Sequence, residues 1–372
     1  DRTAFFAFAD TVAAKSFHSN KDCHGWMGLK FQSRPHDNES QIVLHVRMLD
    51  GEAQLQQEAL GIVGVNLLYG AFFLHHEPEL LVESLLDNLT THRIEIDMIE
   101  FSGIEFRHVD NRLMSLKLVQ LGLSQAAMFS AKGEVLQPSE VLYKKPVLVE
   151  RGTFRPVTKV NMDMLASAHT QFTKHLGQKE DCIVELAEIT MRNLMTEQGD
   201  VDPRDFLARA DVLAAAGKTV LISDYFEYYR LVKYLRRSGA GAIALVLGAG
   251  GLVPLLDEKY YADLGGGILE AFGQLFQREV TVYAYPWLDP ATGKLNTVET
   301  LDVAPDLNKL YSYLVERGSI VQLERYDRNL LSIITTDVLL RIQKGDARWE
   351  TMVPPEIAEV IKNRGYFGYR PR

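Results

Sequence analysis

A chain of 372 residues exceeds one ordinary hydrophobic core and suits two domains, and 47% hydrophobic with 24% charged residues is the composition of a folded protein, not a disordered one. Its formal net charge of -9 opposes non-specific attraction to nucleic-acid phosphates and anionic membranes, so neither is an expected partner and small molecules or proteins are. Two cysteines, Cys23 and Cys182, exclude a disulfide framework and point to a reducing, cytoplasmic location, while any targeting segment upstream of Asp1 lies outside this sequence.

Residues 26–33 and 41–48 alternate apolar and polar side chains around a polar turn, which predicts an antiparallel hairpin. Residues 52–73 carry helical spacing through Leu55, Ala59, Leu60, Val63, Leu67 and Tyr69, and a largely buried helix is expected. The apolar stretch 59–74, interrupted by Asn66, falls short of a membrane span. A second amphipathic helix follows Pro78. Residues 93–99 set Ile94, Ile96 and Met98 against Glu95 and Asp97, the pattern of a half-buried strand. Asp110 has the position of an N-cap for a helix to Leu121, and short strands follow at 126–129 and 147–149. These elements make an N-terminal α+β region with antiparallel strands, expected over 1–150, with Pro146, Gly152 and Pro156 marking its end.

From Lys159 the rhythm becomes strand, helix, strand, helix. Strands are expected at 182–189, 219–222, 242–247 and 280–284, and helices at 205–216, 226–237, 268–276 and 306–315. The class is α/β: residues 151–372 form a mostly parallel βα-repeat, Rossmann-like region with a helical C-terminal tail around Pro354-Pro355. The last residues, Tyr366, Phe367, Tyr369, Arg370 and Arg372, are aromatic and basic. They are expected against a neighbouring copy, in a homo-oligomer.

Open parallel sheets bind ligands outside the carboxyl ends of their strands, where loops converge and helix N-termini aim backbone N-H groups inward. That rule selects Thr190, Arg192 and Asn193, then Ser223, Asp224 and Tyr225, then Gly248, Gly250 and Gly251, and then Tyr285. Asp224 is the catalytic or metal-binding candidate, and the glycines are the phosphate cradle. Neither they nor Gly265-Gly266-Gly267 complete a dinucleotide fingerprint or a P-loop. Lys144, Lys145, Arg151, Arg155 and Lys159 concentrate positive charge near the boundary, with Arg151 and Arg155 as anion clamps and interdomain ion pairs as the competing explanation. Asp97 and Glu100 at a strand end and Asp110-Asn111-Arg112 at a helix start could together bind a metal or position a substrate, with solvation and capping as the favoured explanation. His75-His76 has no third ligand at metal spacing, His24 beside Cys23 needs distant help, and His45 reads as a core residue, so no metal site and no cofactor are assigned. No G-x-S-x-G elbow occurs.

Residues 5–10 (FFAFAD), 24–28 (HGWMG), 109–115 (VDNRLMS) and 149–158 (VERGTFRPVT) resemble an uncharacterised bacterial family, and the likeness extends over nearly the whole chain. Its members carry two conflicting names, nicotinate-nucleotide adenylyltransferase and TonB-dependent receptor. The receptor name requires a plug and a large outer-membrane barrel, against the helical periodicity and βα repeats here. The adenylyltransferase name requires H-x-G-H and an I-S-T-S-x-x-R signature; the first is absent, and Ile222-Ser223-Asp224-Tyr225 departs from the second after two residues. No catalytic residue is carried over. The expected function is binding or transformation of a small anionic ligand, phosphorylated, nucleotide or carboxylate, with a self-associating assembly protein as the alternative.

Overall fold

The computed structural model describes residues 2–11, 23–177, 182–289 and 292–371; Asp1 and Arg372 lie outside them. The chain divides into two compact units, Asp1–Pro138 with Leu221–Asp224, and Ser139–Val220 with Tyr225–Arg372.

In the first unit four antiparallel strands pair in chain order: β1 (Phe5–Thr11), β2 (Cys23–Phe31), β3 (Ser40–Met48) and β4 (Ile94–Gly103). The expected hairpin is β2 with β3, closed by the pair Phe31 and Ser40. Helix α1 (Ala53–Tyr69) runs into a π-helical turn, Gly70–Leu74, and is followed by α2 (Pro78–Ser84) and α3 (Asn111–Gln120). Leu29, Leu44 and Ile96 from the strands share one core with Ala59, Val63 and Leu67 of α1 and Leu118 of α3. A short hairpin, β5 (Ala126–Phe129) with β6 (Val135–Leu136), completes the unit, and Asp224 N-H donates to Gln125 O at 2.9 Å.

Two expectations fail here for physical reasons. The span Ala53–Leu74 is long and apolar enough to cross a membrane by length and composition, and only 28% of its most apolar window is buried. One stripe, Ala59, Val63, Leu67 and Ala71 at every fourth residue, meets the core; Val65, Tyr69 and Phe73 on the other side are exposed. Composition cannot say which side of an all-round apolar helix finds a partner. In β4, Glu95 and Asp97 are buried as well as Ile94 and Ile96. The register shifts between His45 and Val46, which pair with Met98 and Ile96, so Asp97 is the extra residue of a β-bulge. Both faces of β4 are therefore covered.

The second unit opens with α4 (Pro138–Leu142), whose first residue belongs to the first unit, and then alternates strands with helices. In chain order these are β7 (Val147–Arg151), α5 (Lys159–Leu176), β8 (Val184–Thr190), α6 (Met191–Leu194), α7 (Pro203–Ala215), β9 (Thr219–Ser223), whose last three residues are counted with the first unit, and α8 (Tyr228–Arg237). Next come β10 (Ile243–Gly248), α9 (Leu252–Leu255), α10 (Gly267–Leu275), β11 (Val280–Tyr285) and a small hairpin of β12 (Trp287–Leu288) with β13 (Leu295–Asn296). The unit ends with α11 (Asn308–Glu316), β14 (Ile320–Gln322), α12 (Thr335–Lys344) and α13 (Pro355–Arg364). Helix α5 goes beyond the expected elements. Its start is fixed by a capping box in which Thr158 and Asn161 satisfy each other's backbone, and Gly177 ends it in the left-handed region.

Strand order in this unit is β14-β11-β10-β7-β8-β9, with β7 parallel to both β8 and β10, and β11 parallel to β10 and β14. Numbered by first appearance, that is the 3-2-1-4-5-6 order of a doubly wound Rossmann sheet, with its reversal between β7 and β10. The unbroken apolar run of β10 follows, because helices on both faces leave no strand face for water. The C-terminal tail packs on its own chain: Tyr366 OH donates to Asp211 of α7, Phe367 is buried, and the Tyr369 ring lies 6.0 Å from Trp349. That takes its aromatics away from the neighbour they were expected to meet.

Candidate functional site

An open cleft of about 550 Å³ sits where β10 ends, lined by Gly248, Gly250, Gly251, Val253, Trp287, Asn296, Leu301 and Asp302. Gly248 closes β10 beside Tyr285 of β11, and a short 3-10 turn, Ala249–Gly251, leads into α9. A β-carbon on Gly250 would stand 3.4 Å from the Trp287 indole, so a larger residue there would fill the space in front of the ring. Trp287 is 38% exposed, held on the β12–β13 hairpin opposite Asn296. The wall is thus backbone and aromatic face, with one amide and one carboxylate for polar recognition.

The other residues selected from the sequence fall into distinct settings. At the ends of β7 and β8, Arg151 forms a fork with Glu188 at 2.8 and 3.0 Å, donates to the carbonyls of Tyr225 and Phe226, and stacks 4.2 Å above the Tyr228 ring. Its guanidinium is thereby spent within the fold. Arg155 lies 2.7 Å from Asp205, which also takes Arg209 in a fork, and the Arg155 side chain is 41% exposed. Two guanidinium groups share one carboxylate, an excess of one positive charge in this cluster among the described residues. Arg209, buried, donates to the carbonyls of Thr153 and Asn193; burial, reinforced by the nearby Arg155 charge, lowers its pKa against the pull of Asp205.

Thr190 is buried and caps α6 by accepting from Asn193 N-H, and the Asn193 side chain donates to Gly152 O. Arg192 is exposed and lies 4.4 Å over the Phe226 ring. Tyr225 and Tyr285 are buried, the latter donating to Asp163 at 2.6 Å, a bond that together with burial raises its pKa. Ser223 is fully buried and Asp224 exposed, both within the first unit. The basic run is divided by β7: Lys144 and Lys145 precede the strand, pairing with Gly239 and Gly241, Arg151 ends it, about 16 Å away along five extended residues, and Arg155 follows it.

Sequence reasoning did not reach Trp287, Asn296 and Asp302, which lie two to seventeen residues beyond Tyr285. A tryptophan right after Tyr285-Pro286 was a usable signal; Asp302 gave none. Glu150 also escaped notice. It is fully buried on β7, one oxygen accepts from Asn161 at 2.7 Å, and its Oε2 has no partner among the described residues. Burial pushes its pKa up to about 8.

In the first unit Asp110 accepts from Arg112 N-H and binds the Arg112 guanidinium, while Asn111 clasps the backbone of Phe101 at 2.8 and 3.0 Å. That triplet anchors α3 to β4. His45, 1% exposed, lies 3.0 Å from His24 Nδ1 and 2.6 Å from Asp97, whose other oxygen accepts from Arg47 at 2.9 Å.

No protein-family model and no curated protein matches this chain. Among solved structures, one from Vibrio parahaemolyticus with the provisional name nicotinate-nucleotide adenylyltransferase is similar at 13% identity and a TM-score of 0.30, over 61% of this chain and 97% of that one. At that score the likeness carries no argument about activity.

Proposed function

We propose that the second unit binds a small anionic ligand of nucleotide type at the carboxyl ends of β7 and β10. The observation that carries this reading is the 3-2-1-4-5-6 strand order with a cleft opening at Gly248, on the strand next to the reversal. Neighbouring strands are about 4.8 Å apart, so the loop bearing Arg155 and the loop bearing Gly250 leave the same edge side by side. Trp287 offers a stacking face for a base, Asn296 and Asp302 offer partners for its edge or for sugar hydroxyls, and the unbalanced charge of Arg155 and Arg209 favours phosphate. Asp224 is not among the lining residues, and Asp302 takes its place as the carboxylate at hand.

The test is a titration of tryptophan fluorescence with adenosine triphosphate, a nicotinamide dinucleotide and inorganic phosphate, alongside thermal shift. Saturable quenching is expected, abolished by Trp287→Phe and by Gly250→Val. Arg155→Ala should weaken the phosphorylated ligands about tenfold and leave a nucleoside unchanged. Absence of quenching and of any shift at millimolar concentration would sink the proposal.

One observation favours the second reading, self-association. Strand β1 is the edge of its sheet and carries Phe5 and Phe6 exposed by 63% and 65%, with neither proline nor lysine to discourage pairing. Light scattering on Phe6→Lys tests it: an oligomer that falls to monomer supports the reading, and a wild-type monomer ends it.

A further inference from the structure

The histidine pair of the first unit acquires in the fold the third ligand that its sequence neighbourhood lacks. His75 and His76 leave the π-helical turn Gly70–Leu74, and Glu105 follows β4; one ligand atom from each lies within 4.8 Å of the other two. His75 is 8% exposed, its Nδ1 has no hydrogen-bond partner, and its Nε2 stands 4.0 Å from Glu105 Oε2, beyond hydrogen-bond reach. A buried ring nitrogen without a bond is costly and uncommon, and a ligand on Nδ1 accounts for it.

The carboxylate is prepared in the same sense. Ser33 Oγ donates to Glu105 Oε1, and the Glu105 backbone N-H donates to Ser40 Oγ at 3.0 Å, which fixes the turn and leaves Oε2 for the histidines. A serine on the far oxygen is the kind of outer contact that orients a monodentate metal ligand. His76 is exposed and also lines a cleft of about 550 Å³ whose other walls include Glu77, Glu79, Glu83 and Asp110. Lys117 offsets Glu79 and Glu83, and Arg112 offsets Asp110, so Glu77 adds to the attraction for a cation entering past His76.

We infer that His75, His76 and Glu105 form a binding site for a zinc-class divalent cation. Two imidazoles and one carboxylate match the borderline-soft donor preference of zinc and disfavour magnesium and calcium, which take oxygen shells. Ligand atoms of a tetrahedral zinc stand roughly 3.3 Å apart. The three ligand atoms, within 4.8 Å of one another, close by about 1.5 Å or less to reach that spacing, and the exposed His76 is the side chain with most room to move. Three protein ligands leave a fourth position, on the His76 side, for water or an oxygen donor from a bound molecule.

The experiment uses the full chain without a histidine tag, stripped with chelator, and Zn²⁺ alone as the probe in competition with a colorimetric chelator. One Zn²⁺ per chain at micromolar Kd or tighter is expected, untouched by a thousandfold excess of Mg²⁺. His76→Ala and Glu105→Gln should each weaken binding at least tenfold; the first alters an exposed residue and the second keeps an oxygen for Ser33, so both should fold, as circular dichroism will report. His75→Gln should abolish binding. No stoichiometric uptake by the wild type overturns the inference, and so does uptake that is unchanged in the His76→Ala, Glu105→Gln double variant.

Discussion

Asp97 in the first unit and Glu150 in the second are buried to the same depth and are held in opposite protonation states. Burial alone would raise the pKa of Asp97, but the His45 contact and the charge of Arg47 outweigh it and keep the carboxyl below its ordinary value. Glu150 has only the Asn161 amide within bonding distance, and burial wins, taking it to about 8. Depth sets the size of the desolvation penalty, and a counter-charge in contact decides the outcome. Both units pair buried charges internally, Arg47 with Asp97 in the first and Arg151 with Glu188 in the second, but the second also keeps a neutral acid in its sheet.

Removing the counter-charged acid is the most severe way to break this contrast. Asp97→Ala strands Arg47 and His45 in the sheet, and a loss of about 3–5 kcal/mol is expected in urea unfolding of the chain. A loss below about 1 kcal/mol would mean that the arginine finds water when the aspartate is gone.

Glu150 sharpens the contrast through pH. Its folded pKa, about 8, lies above the ordinary 4.5, so the native state holds a proton that the unfolded chain releases. Native stability therefore falls as pH rises from 4.5 towards 8 and levels off beyond. Glu150→Gln has no proton to lose and keeps an oxygen for Asn161. Its unfolding free energy should run ahead of wild type by a margin that widens between pH 5 and 8, by about 1 kcal/mol per pH unit, as urea unfolding across that range will report. A margin independent of pH would show that Glu150 is ionised in the fold.

The smallest effect compares helix starts. Thr158→Ala removes the capping box of α5 and should cost about 1 kcal/mol. Asp110→Ala removes the cap of α3 and also releases Arg112, so denaturant midpoints should place it lower than Thr158→Ala. The reverse order would mean that Arg112 contributes nothing once uncapped.

Much of the α/β architecture could be read from residue periodicity. The six apolar residues at 242–247 support a strand covered on both faces, and the βα alternation around them implies a parallel sheet with loops gathered at one edge. Asp110 is recognisable as a cap because capping is a contact between residues two positions apart. Within the candidate cleft, Gly248, Gly250 and Gly251 were readable because they directly follow a strand. Asn296 and Asp302 were not, because β11 and the turn of a hairpin intervene before the chain returns to Gly250, and Trp287 was marked only by its place after Tyr285-Pro286.

Sequence alone determined what local spacing dictates: element type, apolar stripe, cap, and the glycine turn after β10. Tertiary structure decided which stripe of α1 is covered, where β7 divides the basic residues, and which distant groups meet. Arg47 reaches Asp97 across fifty residues, and Glu105 reaches His75 across thirty. Backbone conformation is governed by neighbours a few positions away, whereas the partner of a buried charge is chosen by strand pairing and by the single bulge that turns Asp97 inward.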